Sequence, residues 1–108
     1  MKILFDQGTP APLRRCLVKH TVETAYEKGW STLANGDLIT TAETEGYDVL
    51  ITTDQNLRYQ QNLADRRIAI IVLLSTSWPR LQQHLDRIQT AIDQIKPGQY
   101  QEIYIPKG

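Results

Sequence analysis

The sequence predicts a single α/β domain built on a mainly parallel sheet, and three observations lead to that fold class. Apolar, β-branched runs bounded by turn residues recur along the chain. Segments with helical spacing separate them, which is the alternation expected of βαβ units. The run IAIIVLL at 68–74 is apolar throughout, as in a central strand covered on both faces. With 108 residues, the chain has room for one hydrophobic core, so we expect one domain over 1–108.

The first predicted unit is a strand followed by a helix. The run ILF at 3–5 predicts a buried strand, and Pro10 and Pro12 suit the first turn of a helix, where a missing N–H costs nothing. The spacing of the next apolar residues extends this helix to position 20. Those residues are Leu13, Leu17 and Val18.

A second unit follows in the same order. The segment TVET at 21–24 is a predicted strand. Asn-Gly-Asp at 35–37 is a helix-start signal, because these residues serve at N-caps and in first turns. The helix over 38–45 should end at Gly46, a residue type favoured just past a helix C-terminus.

The rest of the chain adds strands and a long helix. VLIT at 49–52 predicts a strand, a polar helix should follow it, and the run at 68–74 is the strongest strand signal. Apolar residues recur every three or four positions over 79–95 and predict one amphipathic helix. A short edge strand is predicted at 103–105. The apolar stripe of the long helix is Leu81, Leu85, Ile88, Ile92 and Ile95.

Bulk properties narrow the class of function. The 12 basic and 12 acidic residues cancel, whereas domains built for tight non-specific nucleic-acid binding are usually basic. The lone Cys16 cannot form an internal disulfide and is predicted to be a small buried residue. The longest apolar run is far shorter than a membrane-spanning helix requires, so we expect a cytoplasmic protein that does not associate with a membrane.

Two aspartates follow predicted strands, and a third opens a helix. Asp6 comes directly after 3–5, and Asp54 comes just after 49–52. In open parallel sheets, ligands bind outside the carboxyl ends of the strands, so both side chains are expected in one crevice if their strands are close. Asp37 can supply a third carboxylate. Such a cluster needs a cation, and magnesium prefers oxygen ligands.

Each of these residues also has a purely structural interpretation. Asp6 can be a turn residue that bonds its own backbone. Asp37 can be a first-turn residue that interacts with the helix dipole, and Asp54 with Asn56 can cap the helix that follows. Sequence spacing alone leaves these interpretations open.

Basic residues cluster after both strand-end aspartates. They can hold phosphates of a nucleic acid, although ordinary solvated helix faces explain them equally well. Glutamates elsewhere are predicted to be solvated, His84 is predicted to face solvent, and neither histidine has a metal-ligand spacing. The basic residues are Arg14, Arg15 and Lys19 after Asp6, and Arg58, Arg66 and Arg67 after Asp54; the glutamates are Glu23, Glu27, Glu43 and Glu45.

Three segments of the chain resemble a known family. KILFDQG, GDLITTAETEGYDVLITTDQNL and IAIIVLL, within positions 1–90, are similar to the compact PIN-like domains of predicted bacterial toxin–antitoxin nucleases, which are VapC-like. The resemblance implies a three-layer α/β/α sandwich and an endoribonuclease that cleaves single-stranded RNA. It implies that Asp6, Asp37 and Asp54 hold Mg²⁺ or Mn²⁺. A cognate antitoxin protein would be the partner.

The same resemblance assigns supporting roles and exposes one departure. Thr52, Thr53 and Asn56 would orient a ligand or water, and Arg14, Arg15 and Arg58 would contact RNA. Many relatives carry a further acid where this chain has Asn56, which adds no negative charge.

Two alternatives to the nuclease remain. One is a PIN-like interaction module with weak or no activity, favoured by Asn56 and zero net charge. The other is a phosphoacceptor domain with Asp54 as acceptor, which would want an acidic pair after the first strand and a lysine at the last one. Trp30 and Trp78 flank turns, are predicted to be partly buried, and are candidate anchors for a homodimer or an antitoxin.

Overall fold

A five-stranded, all-parallel sheet forms the centre of the protein in a computed structural model, which describes residues 1–57, 63 and 65–106. The strand order is β2-β1-β3-β4-β5. This arrangement with its helices confirms the predicted α/β class. The strands are β1 Lys2–Phe5, β2 Thr21–Thr24, β3 Val49–Thr52, β4 Ala69–Leu73 and β5 Tyr100–Ile103.

Helices cover the sheet through two apolar clusters. Side chains alternate between the faces of a strand, so Ile3 and Phe5 join one cluster and Leu4 joins the other. The first cluster contains the apolar residues of the 3-10 helix, α2 and α3, and the second contains those of α1. The helices bounded within the described residues are the 3-10 helix Ala11–Cys16, α1 Asn35–Thr44, α2 Trp78–Gln82 and α3 Leu85–Gln94.

The first connection is tighter than the sequence predicts. Instead of an α-helix reaching position 20, the chain forms a 3-10 helix in which the Leu13 amide donates to the Pro10 carbonyl. Leu13 and Leu17 are buried as predicted, but Val18 is 84 % exposed. The chain must return quickly to begin β2 at Thr21, which leaves no length for a helix that reaches position 20.

The long amphipathic helix is interrupted. The chain leaves helical geometry at His84, with φ −127°, so that α2 and α3 replace the single helix predicted over 79–95. Both Leu81 and Ile88 are fully buried in the first cluster, as the apolar periodicity predicted. His84 does not simply face solvent, since its Nε2 atom is buried without a hydrogen-bond partner in the part of the chain described.

Helix α1 begins earlier than predicted. Its N-cap is Ala34, which has no capping side chain, and the Asn-Gly-Asp segment forms the first turn. The helix ends before Gly46, whose φ of +82° confirms the predicted glycine stop.

Other predicted features divide between confirmed and corrected ones. β5 is an edge strand as predicted, although it spans 100–103 rather than 103–105. Trp30 and Trp78 are partly buried as predicted, and Cys16 is only half-buried. The polar helix predicted after Asp54 lies mostly outside the described residues. None of the helices that the structure describes is both long and apolar enough to cross a bilayer.

Candidate functional site

The two strand-end aspartates lie on neighbouring strands. β1 pairs with β3, with Phe5 opposite Ile51, and the Asp6 amide donates to the Ile51 carbonyl at 2.9 Å. Asp6 and Asp54 therefore follow the carboxyl ends of adjacent parallel strands, at one edge of the sheet. The condition for a shared site, that the two strands are close in the sheet, is therefore met.

The chain leaves these two strands toward opposite faces of the sheet. After β1, Leu13 is buried in the cluster beneath the 3-10 helix. After β3, Leu57 is buried in the cluster beneath α1. The β1–β3 boundary is thus the point where the strand order reverses, and ligands of open parallel sheets bind in the crevice at such a point.

Thr52 joins the two aspartate segments. Its Oγ1 donates to Asp6 Oδ2 at 2.8 Å and accepts from the Asp54 amide at 3.1 Å. The residue is 1 % exposed, so few alternatives are open to this hydroxyl. Thr52 therefore fixes the position of the Asp6 carboxylate relative to the Asp54 backbone.

Hydrogen bonds also hold the remaining carboxylate oxygens. Asp6 Oδ1 accepts from the Gln7 amide at 2.7 Å. Asp54 Oδ1 accepts from the Asn56 amide at 3.0 Å, and Asp54 Oδ2 accepts from Asn35 Nδ2 at 2.6 Å. The turn-type bonds of Asp6 and Asp54 agree with the structural interpretation. They do not exclude a ligand role, since each carboxylate oxygen has two lone pairs.

The loops that carry the aspartates pack closely. A Cβ atom added to Gly8 would lie 2.7 Å from Thr53 Oγ1, closer than side chains tolerate. Thr9 Oγ1 donates to the Ile51 carbonyl at 2.9 Å and ties the same loop to β3. Glycine at position 8 thus permits the approach that places Thr53, another predicted supporting residue, beside the Asp6 loop.

Asp37 is exposed in the first turn of α1. Among the residues that the structure describes, no three His, Cys, Asp or Glu side chains are grouped to hold a metal, so it does not join Asp6 and Asp54 in such a group. Instead, Asn35 on the same turn reaches Asp54. From the sequence, Asn35 was interpreted only as a helix-start residue. Asp54 is distant from it in the sequence, so no local pattern indicates their contact.

The basic residues separate into two regions. Arg14 Nη1 lies 2.6 Å from Glu27 Oε1, which places it at the carboxyl edge beside the turn after β2. Arg66 instead pairs with Glu43 at 3.0 Å just before β4, at the amino edge, and Arg67 lies beside it. The expectation that Arg66 and Arg67 adjoin Asp54 is therefore wrong, because the chain crosses the sheet before reaching them. Arg58 lies outside the described residues.

A cavity of about 320 Å³ also opens at the amino edge. Its lining includes Tyr47, Asp48 and Arg67, and none of the three predicted metal ligands. Because this cavity lacks those residues, the candidate site is instead the β1–β3 boundary, where the strand order reverses and Thr52 links the Asp6 and Asp54 segments.

No family model matches the chain, and no curated protein or solved structure is significantly similar to it.

Replacing Thr52 with valine is expected to loosen this site. Valine keeps the shape but removes the donor to Asp6 and the acceptor for the Asp54 amide, at a cost of about 1–3 kcal/mol in the free energy of unfolding. Urea denaturation measures that cost. Thr52→Ser keeps the hydroxyl and should lose much less. Equal stability of the valine and serine variants would show that the hydroxyl does not hold the two segments together.

Proposed function

We propose that the protein is a metal-dependent endoribonuclease that cleaves single-stranded RNA, with the PIN-like three-layer α/β/α architecture. The observation that carries the proposal is that Asp6 and Asp54 follow adjacent strands at the reversal point of the sheet, where the buried Thr52 hydroxyl bonds both the Asp6 carboxylate and the Asp54 amide. The placement of helical apolar residues in two clusters on opposite faces of the sheet supports the layered architecture.

The donor set fits a hard divalent cation. Magnesium in phosphate chemistry is commonly held by one or two carboxylates together with water and substrate oxygens, so Asp6 and Asp54 suffice as the protein part of such a site. Asp37 is not grouped with these two acids, but it lies on the turn that also carries Asn35, a hydrogen-bond partner of Asp54, so we propose it as an acid at the rim of the site rather than as a direct ligand. Bound there, Mg²⁺ or Mn²⁺ would polarise the phosphodiester and acidify a water molecule.

The chain's own residues would position the reactants. Thr52 holds the Asp6 carboxylate in place, and Asn35 does the same for Asp54. Thr53 and the exposed Asn56 side chain lie in the loop after β3, where they can orient water or a phosphate oxygen. Arg14 and Arg15 would neutralise phosphates of the RNA that approaches along the carboxyl edge.

The decisive experiment incubates the protein with single-stranded RNA in Mn²⁺ or in chelator. Wild-type protein should cleave the RNA in Mn²⁺ and should not cleave it in chelator. Asn56→Asp adds a carboxylate beside Asp54 and should raise the rate, because it adds negative charge for a cation. Asn56→Ala is the matched control and should not raise it. If neither wild type nor Asn56→Asp cuts RNA in Mn²⁺, the nuclease proposal fails.

One alternative has support of its own. Every oxygen of Asp6 and Asp54 already accepts a hydrogen bond from the protein, as expected if both acids only brace loops. The alternative function is a PIN-like interaction module that binds a protein partner without cleavage. Calorimetric titration with Mn²⁺ discriminates, since only the nuclease requires binding that is lost in Asp54→Asn.

The proposed partner of the nuclease is a cognate antitoxin protein. Trp30 is half-buried, with its ring 6.0 Å from that of Tyr47 in an edge-to-face contact, and Trp78 is partly buried at the start of α2. Large aromatic side chains of this kind often anchor interfaces, which supports antitoxin binding or a homodimer at one of them.

A further inference from the structure

The turn after β2 displays one aromatic side chain in solvent. Tyr26 is 75 % exposed, although it lies in a short turn between β2 and the half-buried Trp30. Ala25 before it is buried, and the Trp30 amide donates to the Ala25 carbonyl at 2.8 Å. The ring of Tyr26 is therefore presented by an anchored turn.

Reciprocal hydrogen bonds make this turn rigid. The Thr24 amide donates to Glu27 Oε1, and the Glu27 amide donates to Thr24 Oγ1, both at 3.0 Å. A preformed position matters for binding, because little conformational entropy is then lost when a ligand covers the ring.

The turn lies beside the proposed catalytic edge. The Ala25 amide donates to the Phe5 carbonyl at 2.8 Å, and Phe5 directly precedes Asp6. Tyr26 thus lies in the turn that follows β2, the strand next to β1, and adjacent strand axes are about 4.8 Å apart.

The local charge suits a polyanion. The Arg14 guanidinium pairs with the only acid of the turn, Glu27, at 2.6 Å. A backbone hydrogen bond from Thr24, with further bonds from the Thr24 and Arg14 side chains, lowers the pKa of Glu27. Arg15, next to Arg14, is exposed and makes no ion pair within the described part of the chain. A phosphate near Tyr26 would therefore be attracted by the Arg15 guanidinium, while the negative charge of Glu27 is compensated by Arg14.

We propose that Tyr26 is a stacking platform for one base of single-stranded RNA, with Arg15 contacting an adjacent phosphate. The inference rests on the proposed nuclease function and specifies how its substrate is held. Base stacking on an aromatic ring, joined to backbone neutralisation by arginine, is the general means of binding single strands without reading their sequence.

A second exposed tyrosine provides a matched control. Tyr104 is 65 % exposed and follows β5, so it lies at the same edge of the sheet but three strand positions from β1. Its exposure is similar, but it lies farther along the sheet from the strands that precede the aspartates. Loss of RNA affinity that is specific to Tyr26 can therefore be separated from a general effect of removing a surface aromatic ring.

The experiment measures the dissociation constant for a short labelled single-stranded RNA by fluorescence anisotropy in chelator, where no cleavage occurs. Tyr26→Ala should weaken binding by about 5- to 100-fold. Tyr26→Phe, which keeps the ring, and Tyr104→Ala should bind like wild type. An RNA with abasic positions should bind wild type and Tyr26→Ala equally, because it offers no base to stack.

Salt dependence separates the two contacts. Arg15→Ala should reduce the slope of log affinity against log salt concentration by about 0.7 for one phosphate, and Tyr26→Ala should leave that slope unchanged. Unchanged affinity of Tyr26→Ala for base-carrying RNA would overturn the stacking role and favour Tyr26 as a protein contact. If wild type still cuts RNA in that case, the nuclease proposal stands alone. If wild type neither binds nor cuts, both fail.

Discussion

Replacing Asp54 with asparagine is expected to abolish Mn²⁺-dependent cleavage of single-stranded RNA while leaving the fold intact. The substitution removes one negative charge from a site proposed to work by holding a cation. The loss should exceed the roughly 10- to 100-fold decrease typical of changes in residues that only support metal ligands. Initial cleavage rates at saturating Mn²⁺ provide the measurement.

The cost in stability should be small for a structural reason. Asn35 and the Asn56 amide both donate to the Asp54 carboxylate, so an asparagine there presents its NH₂ group to one of these donors. Rotation of the Asn35 amide can present its oxygen instead, which limits the cost to about 1 kcal/mol. A folded variant whose urea midpoint is only slightly below that of the wild type, but which has no activity, is the expected result.

Asp48→Asn is the matched control for this experiment. Asp48 is exposed just before β3 and accepts a hydrogen bond from the Lys2 amide at 2.8 Å, so it has the same chemistry at the opposite end of the same strand. Its replacement should leave cleavage unchanged. Equal loss of activity in both variants would indicate a general effect of net charge and would remove Asp54 from the proposed site.

Replacing Glu43 with alanine is expected to lower the free energy of unfolding by about 3 kcal/mol, measured by urea denaturation. Glu43 lies in α1 with its side chain only 13 % exposed. It accepts from the Arg67 amide at 2.6 Å and the Ile68 amide at 3.2 Å, and it pairs with Arg66. Alanine leaves these donors without their acceptor, including one at the buried start of β4. The expectation that Glu43 is merely solvated is wrong.

The same residue should make stability depend on pH in a defined direction. Burial raises the pKa of Glu43, but hydrogen bonds from the Arg67 amide, Arg66 and the Ile68 amide outweigh it and leave the pKa below its ordinary value. Because the folded pKa is lowered, the contribution is present above the unfolded pKa of about 4.3 and is lost as pH falls through the folded pKa. The difference in stability between wild type and Glu43→Ala should therefore shrink in acid.

Glu45→Ala provides the comparison for Glu43. Glu45 lies just past the end of α1 and is exposed, so alanine there should change stability by no more than about 0.5 kcal/mol. If the two alanine variants prove equally stable at neutral pH, the hydrogen bonds of Glu43 do not hold α1 to β4 as inferred.

Strands β1 to β4 were predictable because their signal is local, whereas β5 was predicted three residues too late. A run such as 68–74 contains its own evidence of burial, and β4 forms within it. Helical detail was less predictable, because it depends on where the chain must go next. Nothing in the residues around His84 marks a helix break, and the early return to β2 shortens the first helix despite the apolar spacing of Leu13 and Leu17.

Some features of the candidate site could also be predicted from the sequence, and others could not. That Asp6 and Asp54 follow strands was visible in the sequence, and the rule for parallel sheets placed them together. The hydrogen bonds from Thr52 to Asp6 and from Asn35 to Asp54 could not be predicted from the sequence, because they depend on strand order and on the exact start of α1. The positions of Arg66 and Arg67 were predicted wrongly. Although they are close to Asp54 in sequence, they lie just before β4, at the opposite edge of the sheet.

The parallel sheet also constrains how the chain acquires its structure. Parallel neighbours cannot be joined by a hairpin, so every strand pair here requires a crossover and brings together distant parts of the chain. The contact between Asp6 and Thr52 joins residues 46 positions apart. Topologies dominated by such contacts fold more slowly than those built from local ones. A newly synthesised chain therefore keeps its two strand-end acids apart until β1 and β3 have paired.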